Sequence, residues 1–247
     1  MMSGRTRPSA LQQTAMRSFA VITVHPDFIA AYARFGALSA AAAKAVASVD
    51  AIDLRDFAVD RHGSVDAPPY GGGDGMVLRP EPLQAAIASL PQKPVVILTS
   101  PAGRPWTQRE AEAMAADERP VAFICGRFAG VDQRFIDASV DAEFSCGDVV
   151  LTGGELPALM MIDSVLRLLP GVLGHGDSAL NDSFAAGCQG GLEYPLYTRP
   201  ADFLGRKVPE VLLSGDHGKI SAWRQEQAML RTTRLRPDLL VPKHRKD

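Results

Sequence analysis

Five short apolar runs alternate with segments of helical pattern along the first two thirds of the chain. This alternation restricts the fold more than any other feature, because strands that are apolar on both faces must be covered by helices on both sides of a sheet. It predicts an α/β domain with a parallel sheet. The predicted strands are FAVITV (19–24), VDAIDL (49–54), PVVILTS (94–100), VAFIC (121–125) and GDVVLT (147–152), and the predicted helices lie near 28–47, 81–90, 107–117, 132–138 and 156–169.

Three of the predicted strands run into turns that are rich in glycine or proline, namely TSPAGR (99–104), CGRFAG (125–130) and LTGGELP (151–157). Ligands of open α/β sheets bind outside the carboxyl ends of the strands. Three such loops together therefore indicate a small-molecule site, although each loop alone is typical of an ordinary tight turn. No GxGxxG follows the first predicted strand and no GxxxxGK[ST] occurs, which weakens the case for a dinucleotide or a P-loop nucleotide.

The composition is that of a globular protein: 46% of the 247 residues are hydrophobic and the mean hydropathy is close to zero. No apolar run reaches the roughly 18 residues that a membrane helix needs. The three cysteines, Cys125, Cys146 and Cys188, form no CxxC pair, and the five histidines are isolated from one another. These patterns indicate neither a disulfide framework nor a zinc site. We therefore expect a cytoplasmic protein that does not enter a membrane.

Charge is distributed unevenly along the chain. Residues 1–198 contain 15 lysines and arginines against 22 acidic residues, whereas residues 199–247 contain 11 against 6. A basic C-terminal part on an acidic body predicts a contact with a polyanion, although a solvated helix face gives the same pattern. Trp223, in a predicted helix at 219–235, is either a core anchor or a stacking surface for bases. The predicted organisation is a disordered extension (1–17), a main domain (18–172), a linker (173–189) and a small C-terminal domain (190–247).

The predicted helix 156–169 is one of the most apolar segments of the chain, yet it contains Asp163 and Arg167. An arginine in such a segment needs a partner or a task, because an unpaired buried charge is costly. An i,i+4 ion pair with Asp163 would contribute about 0.2–0.5 kcal/mol. A role in chemistry is the alternative. Asp182, in the predicted linker, is likewise either a turn residue or a functional carboxylate.

Several stretches of the chain occur together in one known pattern. They are DRHGSVDAPPYGGGDGMVL (60–78), LTSPAGR (98–104), ICGRFAGVD (124–132), GDVVLTGGELPALMMIDSVLRLLPGVLGH (147–175), NDSF (181–184), YTRP (197–200) and VLLSGDH (211–217). In this order, over nearly the whole chain, they resemble the bacterial tRNA (guanine-37-N1)-methyltransferase family. The resemblance implies a homodimer of SPOUT-type methyltransferases. Each subunit would carry a trefoil knot at the C-terminal end of its sheet, a rare exception to unknotted topology.

The resemblance also implies roles for individual residues. Knot loops of the family bind S-adenosylmethionine in a bent shape, and tRNA is methylated at N1 of guanosine 37. Arg167 matches the catalytic arginine of the family, and Asp182 matches its proposed general base. The cofactor contacts implied by position are Pro101, Gly103, Gly126, Cys146, Gly147, Asp148, Val149, Val150, Leu151, Gly153 and Gly154, where glycines would let the backbone approach adenine and ribose. No protein-bound metal is indicated, and a need for Mg²⁺ is left open.

Four positions depart from the family pattern. Ala129 stands where the family usually has a glutamate that lies near the guanine, and Gln133 stands where a glutamate is common. Ala102 replaces a usual glutamine, and Leu196 replaces a histidine. The intact Arg167, Asp182 and LTGGELP favour an active methyltransferase. Ala129 keeps open the alternative of a tRNA-binding paralogue with weak or altered methyl transfer.

Overall fold

The computed structural model describes residues 16–174 and 181–241. Residues 1–15 of the predicted extension (1–17) and residues 175–180 of the predicted linker (173–189) lie outside the described residues. The chain divides into two compact units that meet in sequence at Leu173 and Gly174, and each is described by itself below.

The first unit alternates strands and helices, as the apolar pattern predicts. Its elements are β1 (Arg17–Thr23), α1 (Pro26–Tyr32), α2 (Gly36–Ala43), β2 (Ala47–Asp53), a 3-10 turn (Leu54–Phe57), β3 (Asp66–Ala67), β4 (Val77–Leu78), α3 (Pro80–Ala88), β5 (Val95–Pro105), α4 (Gln108–Ala116), β6 (Val121–Cys125), α5 (Gln133–Ser139), β7 (Ala142–Ser145) and α6 (Glu155–Leu166). β1 begins one residue before the predicted start of the main domain at 18.

Five of these strands form one parallel sheet in the order β2-β1-β6-β5-β7. All five residues of the central strand β6 are buried, as expected for a strand covered on both faces. Side chains alternate between the faces. Phe19 and Phe123 pack with α6 on one face, while Ile22 and Ile124 pack with the 3-10 turn, α3 and α5 on the other. The predicted parallel α/β sheet is therefore confirmed.

Two predicted elements were wrong. The segment 147–152 is a surface loop, in which Val149 is 56% and Val150 is 84% exposed, and the fifth strand is β7, which comes before it. β7 is short and contains Glu143, so its sequence does not read as an apolar strand. The predicted helix 28–47 is two helices. The chain turns between them, where Phe35 is extended and Gly36 has a φ of 57°.

The second unit is small and mainly helical. It contains a 3-10 turn (Ala186–Cys188), the hairpin strands β8 (Asp202–Phe203) and β9 (Arg206–Lys207), α7 (Glu210–Leu213), α8 (His217–Leu235) and a further 3-10 turn (Pro237–Leu239). α8 confirms the predicted helix 219–235. It begins two residues earlier, because the Asp216 side chain accepts a hydrogen bond from the Lys219 backbone and caps the first turn. No helix among the described residues is long and apolar enough to cross a membrane.

Candidate functional site

The three glycine- and proline-rich loops meet at the carboxyl edge of the sheet, the first as an interruption within β5 and the other two after β6 and β7. Together they enclose a cleft of about 410 Å³, which we call the first cleft. Eight of the eleven predicted cofactor contacts line it: Pro101, Gly126, Cys146, Val149, Val150, Leu151, Gly153 and Gly154. Gly103, Gly147 and Asp148 belong to the same loops but are not lining residues. The structure therefore brings most of the predicted set into one concave site.

The first loop exists because β5 interrupts its pairing with β7. The register shifts between Thr99 and Arg104, so the intervening residues leave the ladder before pairing resumes opposite Phe144. Gly103 permits this rejoining, since a Cβ there would lie 2.5 Å from the backbone nitrogen of Phe144. Such an approach is possible only for glycine. Pro101 and Ala102 are thus held out from the sheet, over the cleft.

The other two loops are fastened to each other by backbone contacts. The Gly154 N–H donates to the Gly126 carbonyl at 2.9 Å, and the Thr99 hydroxyl lies 3.1 Å from the Ile124 carbonyl and 3.3 Å from the Gly154 carbonyl. A Cβ on Gly154 would lie 2.0 Å from the Thr99 hydroxyl oxygen. Gly103 and Gly154 are therefore required by packing within the protein, which is a different reason from the expected approach to adenine and ribose.

The third loop follows β7 and runs from Cys146 to Gly154, and its first part is shaped by its backbone conformation. Gly147 has a φ of 139° and no protein atom within 4 Å of a Cβ built on it. The Ser145 hydroxyl donates to the Gly147 carbonyl at 2.8 Å and accepts from the Gly147 N–H at 3.1 Å. This turn directs Val149, Val150 and Leu151 outward, where all three are exposed and form one wall of the cleft.

The loop after β6 carries strain and contains Ala129, one of the departures from the family pattern, while Gln133, another, begins the following helix α5. Phe128 has a φ of 58°, a conformation that costs a bulky residue free energy and that persists only where surrounding contacts hold it. Here the Ala129 N–H donates to the Met76 carbonyl at 2.8 Å. Ala129 and Gln133 both line the first cleft. The missing glutamate side chain therefore falls on the wall of the site itself.

A second cleft, of about 750 Å³, lies beside the first. The wall between them is formed by the residues that line both, namely Arg127, Val150, Leu151, Thr152 and Gly153. Arg127 forms an ion pair with Glu155 at 3.4 Å, and only 7% of the Glu155 side chain is exposed. The sequence reasoning missed both residues. Their one signal is that each stands beside a glycine of a predicted loop, Arg127 after Gly126 and Glu155 after Gly154.

Arg167 lies at the opposite end of α6 from the clefts. It follows the last helical residue, and its N–H donates to the Asp163 carbonyl at 3.2 Å. Burial raises the pKa of the Asp163 carboxyl, and the positive charge of Arg167 acts against that rise. The electrostatic interaction anticipated from the i,i+4 spacing is therefore present. A cation at this position also interacts favourably with the helix dipole.

Asp182 belongs to the second unit. Its carbonyl accepts a hydrogen bond from the Ala185 N–H at 3.1 Å, in the turn that leads into the first 3-10 segment. Its negative charge contributes to raising the pKa of the Cys188 thiol, after the larger effects of burial and of Glu193. In the described parts of the chain, no group of three or more His, Cys, Asp or Glu side chains is arranged to hold a metal ion.

The chain was then compared with known proteins. The sequence model of the family described as "tRNA (Guanine-1)-methyltransferase TrmD" matches residues 16–242. The chain belongs to this family. It is similar to the tRNA (guanine-N(1)-)-methyltransferases of Lactiplantibacillus plantarum (50% identity over 90% of this chain and 89% of the relative) and Gloeobacter violaceus (48% over 90% and 97%). That of Halorhodospira halophila is 49% identical over 91% of this chain and 85% of the relative.

Membership of the tRNA (guanine-1)-methyltransferase family confirms the resemblance drawn from the sequence motifs. The family is a SPOUT family, so the five-stranded parallel sheet with a helical C-terminal part is the expected fold class. The matched region contains all of the loops around the first cleft, together with Arg167 and Asp182.

Proposed function

We propose that the chain transfers a methyl group from S-adenosylmethionine to N1 of guanosine 37 in tRNA. The observation that supports this most directly is the first cleft, formed by three strand-end loops in a member of a tRNA methyltransferase family. Its volume, about 410 Å³, lies within the range of about 300–1,000 Å³ that small-molecule sites occupy. Its lining combines backbone groups with apolar side chains, as binding of an adenosine and a methionine chain requires.

The chemistry needs a base as well as a bound methyl donor. N1 of guanine carries a proton at neutral pH and is a poor nucleophile. Asp182 accepts that proton, and Arg167 stabilises the negative charge that then develops on O6. S-adenosylmethionine supplies an activated methyl group. The loops around Pro101, Gly126 and Gly154 hold it in line with N1, and positioning of this kind supplies much of the rate enhancement in such transfers.

We further propose that the active form is a homodimer, with the trefoil knot of SPOUT enzymes in each subunit. The support is an apolar surface on the first unit around the second cleft. Phe28, Val150, Leu151 and Leu156 line this cleft and are between 43% and 84% exposed. A contiguous exposed apolar surface of this kind marks an interaction site more often than a free surface. A second copy of the chain is the partner that the family implies.

We also propose that the second unit binds tRNA, and that the protein acts in the cytoplasm. Its surface carries Arg206 and Lys207 on the exposed β8–β9 hairpin, and Arg224 lies 4.8 Å above the ring of Tyr194. Phosphate contacts by lysine and arginine make affinity fall steeply with salt. Binding of tRNA measured between 50 and 200 mM salt (roughly the range over which such contacts are lost) tests the proposal. An affinity independent of salt would contradict it.

The alternative function is a tRNA-binding paralogue with weak or altered methyl transfer. It is favoured by one observation, which is that Ala129 lies on the wall of the first cleft without a carboxylate. One assay separates the two functions. Purified protein is incubated with radiolabelled S-adenosylmethionine and unmodified tRNA transcripts that carry either guanosine or adenosine at position 37, with and without a chelator of Mg²⁺. Methyl transfer only to the guanosine transcript supports the enzyme; tRNA binding without transfer supports the paralogue.

A further inference from the structure

The buried carboxylate of Glu155 joins three segments of the first unit. The Thr23 hydroxyl, at the end of β1, donates to Glu155 Oε1 at 2.7 Å and accepts from the His25 N–H at 2.9 Å. Arg127 Nη1, in the loop after β6, donates to Glu155 Oε2 at 3.4 Å. Glu155 itself is the first residue of α6. Each carboxylate oxygen thus has its own donor, so neither oxygen can move without losing a hydrogen bond.

The position of Arg127 is further restricted by Gly153. A Cβ on Gly153 would lie 2.3 Å from Glu155 Oε2 and 2.5 Å from Arg127 Nη1. The ion pair therefore lies directly against the backbone of the third loop, in the wall between the two clefts. Arg127 and Gly153 also pair as an isolated antiparallel bridge. The guanidinium is held at one place in that wall, with 24% of the side chain exposed.

The charges around the first cleft suggest what Arg127 binds. Among the described residues that line it, those charged at neutral pH are Arg127 and Glu143. A guanidinium has five N–H donors, and in the described residues Glu155 accepts one of them. The amino-acid part of a methionine-derived cofactor is a zwitterion, with one carboxylate and one ammonium group. A cleft with a single arginine and a single glutamate is complementary to that pair of charges.

We propose that Arg127 binds the carboxylate of the amino-acid part of the cofactor, and that Glu155 is a positioning residue that holds Arg127 for this contact. The proposal rests on the proposed function, because it assumes that the cofactor occupies the first cleft. It differs from a purely structural ion pair in one measurable respect. A structural pair supports the whole cleft, whereas the proposed pair affects only ligands that carry the carboxylate.

The test compares two ligands by calorimetry on the full chain: S-adenosylhomocysteine, which carries the amino-acid part, and 5′-methylthioadenosine, which lacks it. Arg127→Gln should weaken binding of S-adenosylhomocysteine by roughly tenfold or more, because a charge-assisted hydrogen bond is lost. Glu155→Asp keeps the charge but shortens the side chain, so the carboxylate cannot reach both Thr23 and Arg127. Glu155→Asp should therefore weaken binding of S-adenosylhomocysteine several-fold. Binding of 5′-methylthioadenosine should be unchanged in both variants.

The matched control is Glu81→Asp. Glu81 pairs with Arg79 at 3.5 Å on the surface, so the same substitution there should leave the binding of both ligands unchanged. Thermal melting identifies variants that fail to fold; Arg127→Lys and Thr23→Val, which make smaller changes, then take their place and should show the same selectivity. The inference would be overturned if the variants bound both ligands equally more weakly, or if they bound neither ligand more weakly than the wild-type chain does. If the wild-type chain binds neither ligand, the proposed function fails, and the inference fails with it.

Discussion

Gly154 provides the most direct test of how the cleft is built. Its φ of −83° and ψ of 0° are accessible to alanine, so Gly154→Ala introduces no backbone strain. The obstacle is steric. The added methyl group would lie 2.0 Å from the Thr99 hydroxyl oxygen, and 2.9 Å from both Cys125 Cα and the Gly126 nitrogen. The hydroxyl must rotate or the α6 N-terminus must shift away from β6.

The expected cost follows from these contacts. Overpacking a closely packed site costs about 1–3 kcal/mol, and losing the buried hydrogen bond of Thr99 costs about 1 kcal/mol more. Replacing glycine by alanine lowers the conformational entropy of the unfolded chain, which stabilises the folded state by about 0.4–1 kcal/mol. The first unit should therefore lose about 1–3.5 kcal/mol of unfolding free energy.

The assay uses the two tryptophans of the chain, one in each unit. In a Trp223→Phe background, fluorescence reports on Trp106, whose indole N–H donates to Ser164 at 2.9 Å in the first unit. Urea titration then gives the unfolding free energy of that unit. Thr99→Ala should remove part of the clash, so Gly154→Ala should cost less in that background than alone. A Gly154→Ala variant within about 0.5 kcal/mol of its parent, the range of ordinary surface substitutions, would refute the reasoning.

Three further predictions concern catalysis and electrostatics. Arg167→Ala and Asp182→Asn should each lower turnover by roughly 100-fold with unchanged cofactor affinity, measured by methyl transfer and calorimetry; loss of folding instead would indicate structural roles. Gly147→Val should distort the third loop, because Gly147 has a φ of 139°, and Asp182→Asn should remove the base. If Asp182 acts on the cleft of the partner subunit, mixing these two inactive variants should recover roughly a quarter of wild-type activity, since half of the dimers are mixed and each has one intact site. No recovery despite confirmed subunit exchange would contradict this. Hydrogen bonds from Arg119 lower the pKa of Asp117 to about 2. That pair stabilises the fold above the ordinary carboxyl pKa, and the contribution disappears as pH falls towards 2. In Arg119→Ala, an NMR titration should show the Asp117 pKa rising towards 3.8, with little loss of stability because the Arg119 side chain is largely exposed and the pair is screened by solvent.

The sheet was predictable from sequence because its central strands are apolar without interruption, as β6 illustrates. The edge strand β7 was not predictable, because Glu143 breaks its apolar pattern. The exposed Val149, Val150 and Leu151 form an apolar run that has the sequence pattern of a buried strand, so the strand was predicted there instead. The loops of the site could be located from their glycines and from Pro101. The Glu155 contacts could not be, because Thr23 lies 132 residues away in sequence, and local pattern carries no information on such a pairing.

The length of α6 bears on where Arg167 acts. Pro157, in the first turn of α6, lines the first cleft together with Gly154, whereas Arg167 follows the last helical residue. Ten residues at about 1.5 Å each separate Pro157 from Arg167 by roughly 15 Å along the helix axis. An extended arginine side chain spans only about half that distance. Arg167 therefore does not reach the first cleft of its own subunit along the helix. If it stabilises O6 of the target base beside a cofactor in that cleft, it must do so in another subunit.

An antiparallel pairing of α6 with its copy would supply this arginine. Leu156 and Met160, one turn apart on α6, are 55% and 41% exposed, so one face of the helix is available for a partner. In an antiparallel pair, the end of one helix lies beside the start of the other, which brings Arg167 of each subunit to the cleft of its partner. Mixing Gly147→Val with Arg167→Ala should then recover roughly a quarter of wild-type activity, since half of the dimers are mixed and each has one intact site. If the arginine acts within its own subunit, every site of the mixed dimer carries one defect, and no activity should return once subunit exchange has been verified independently.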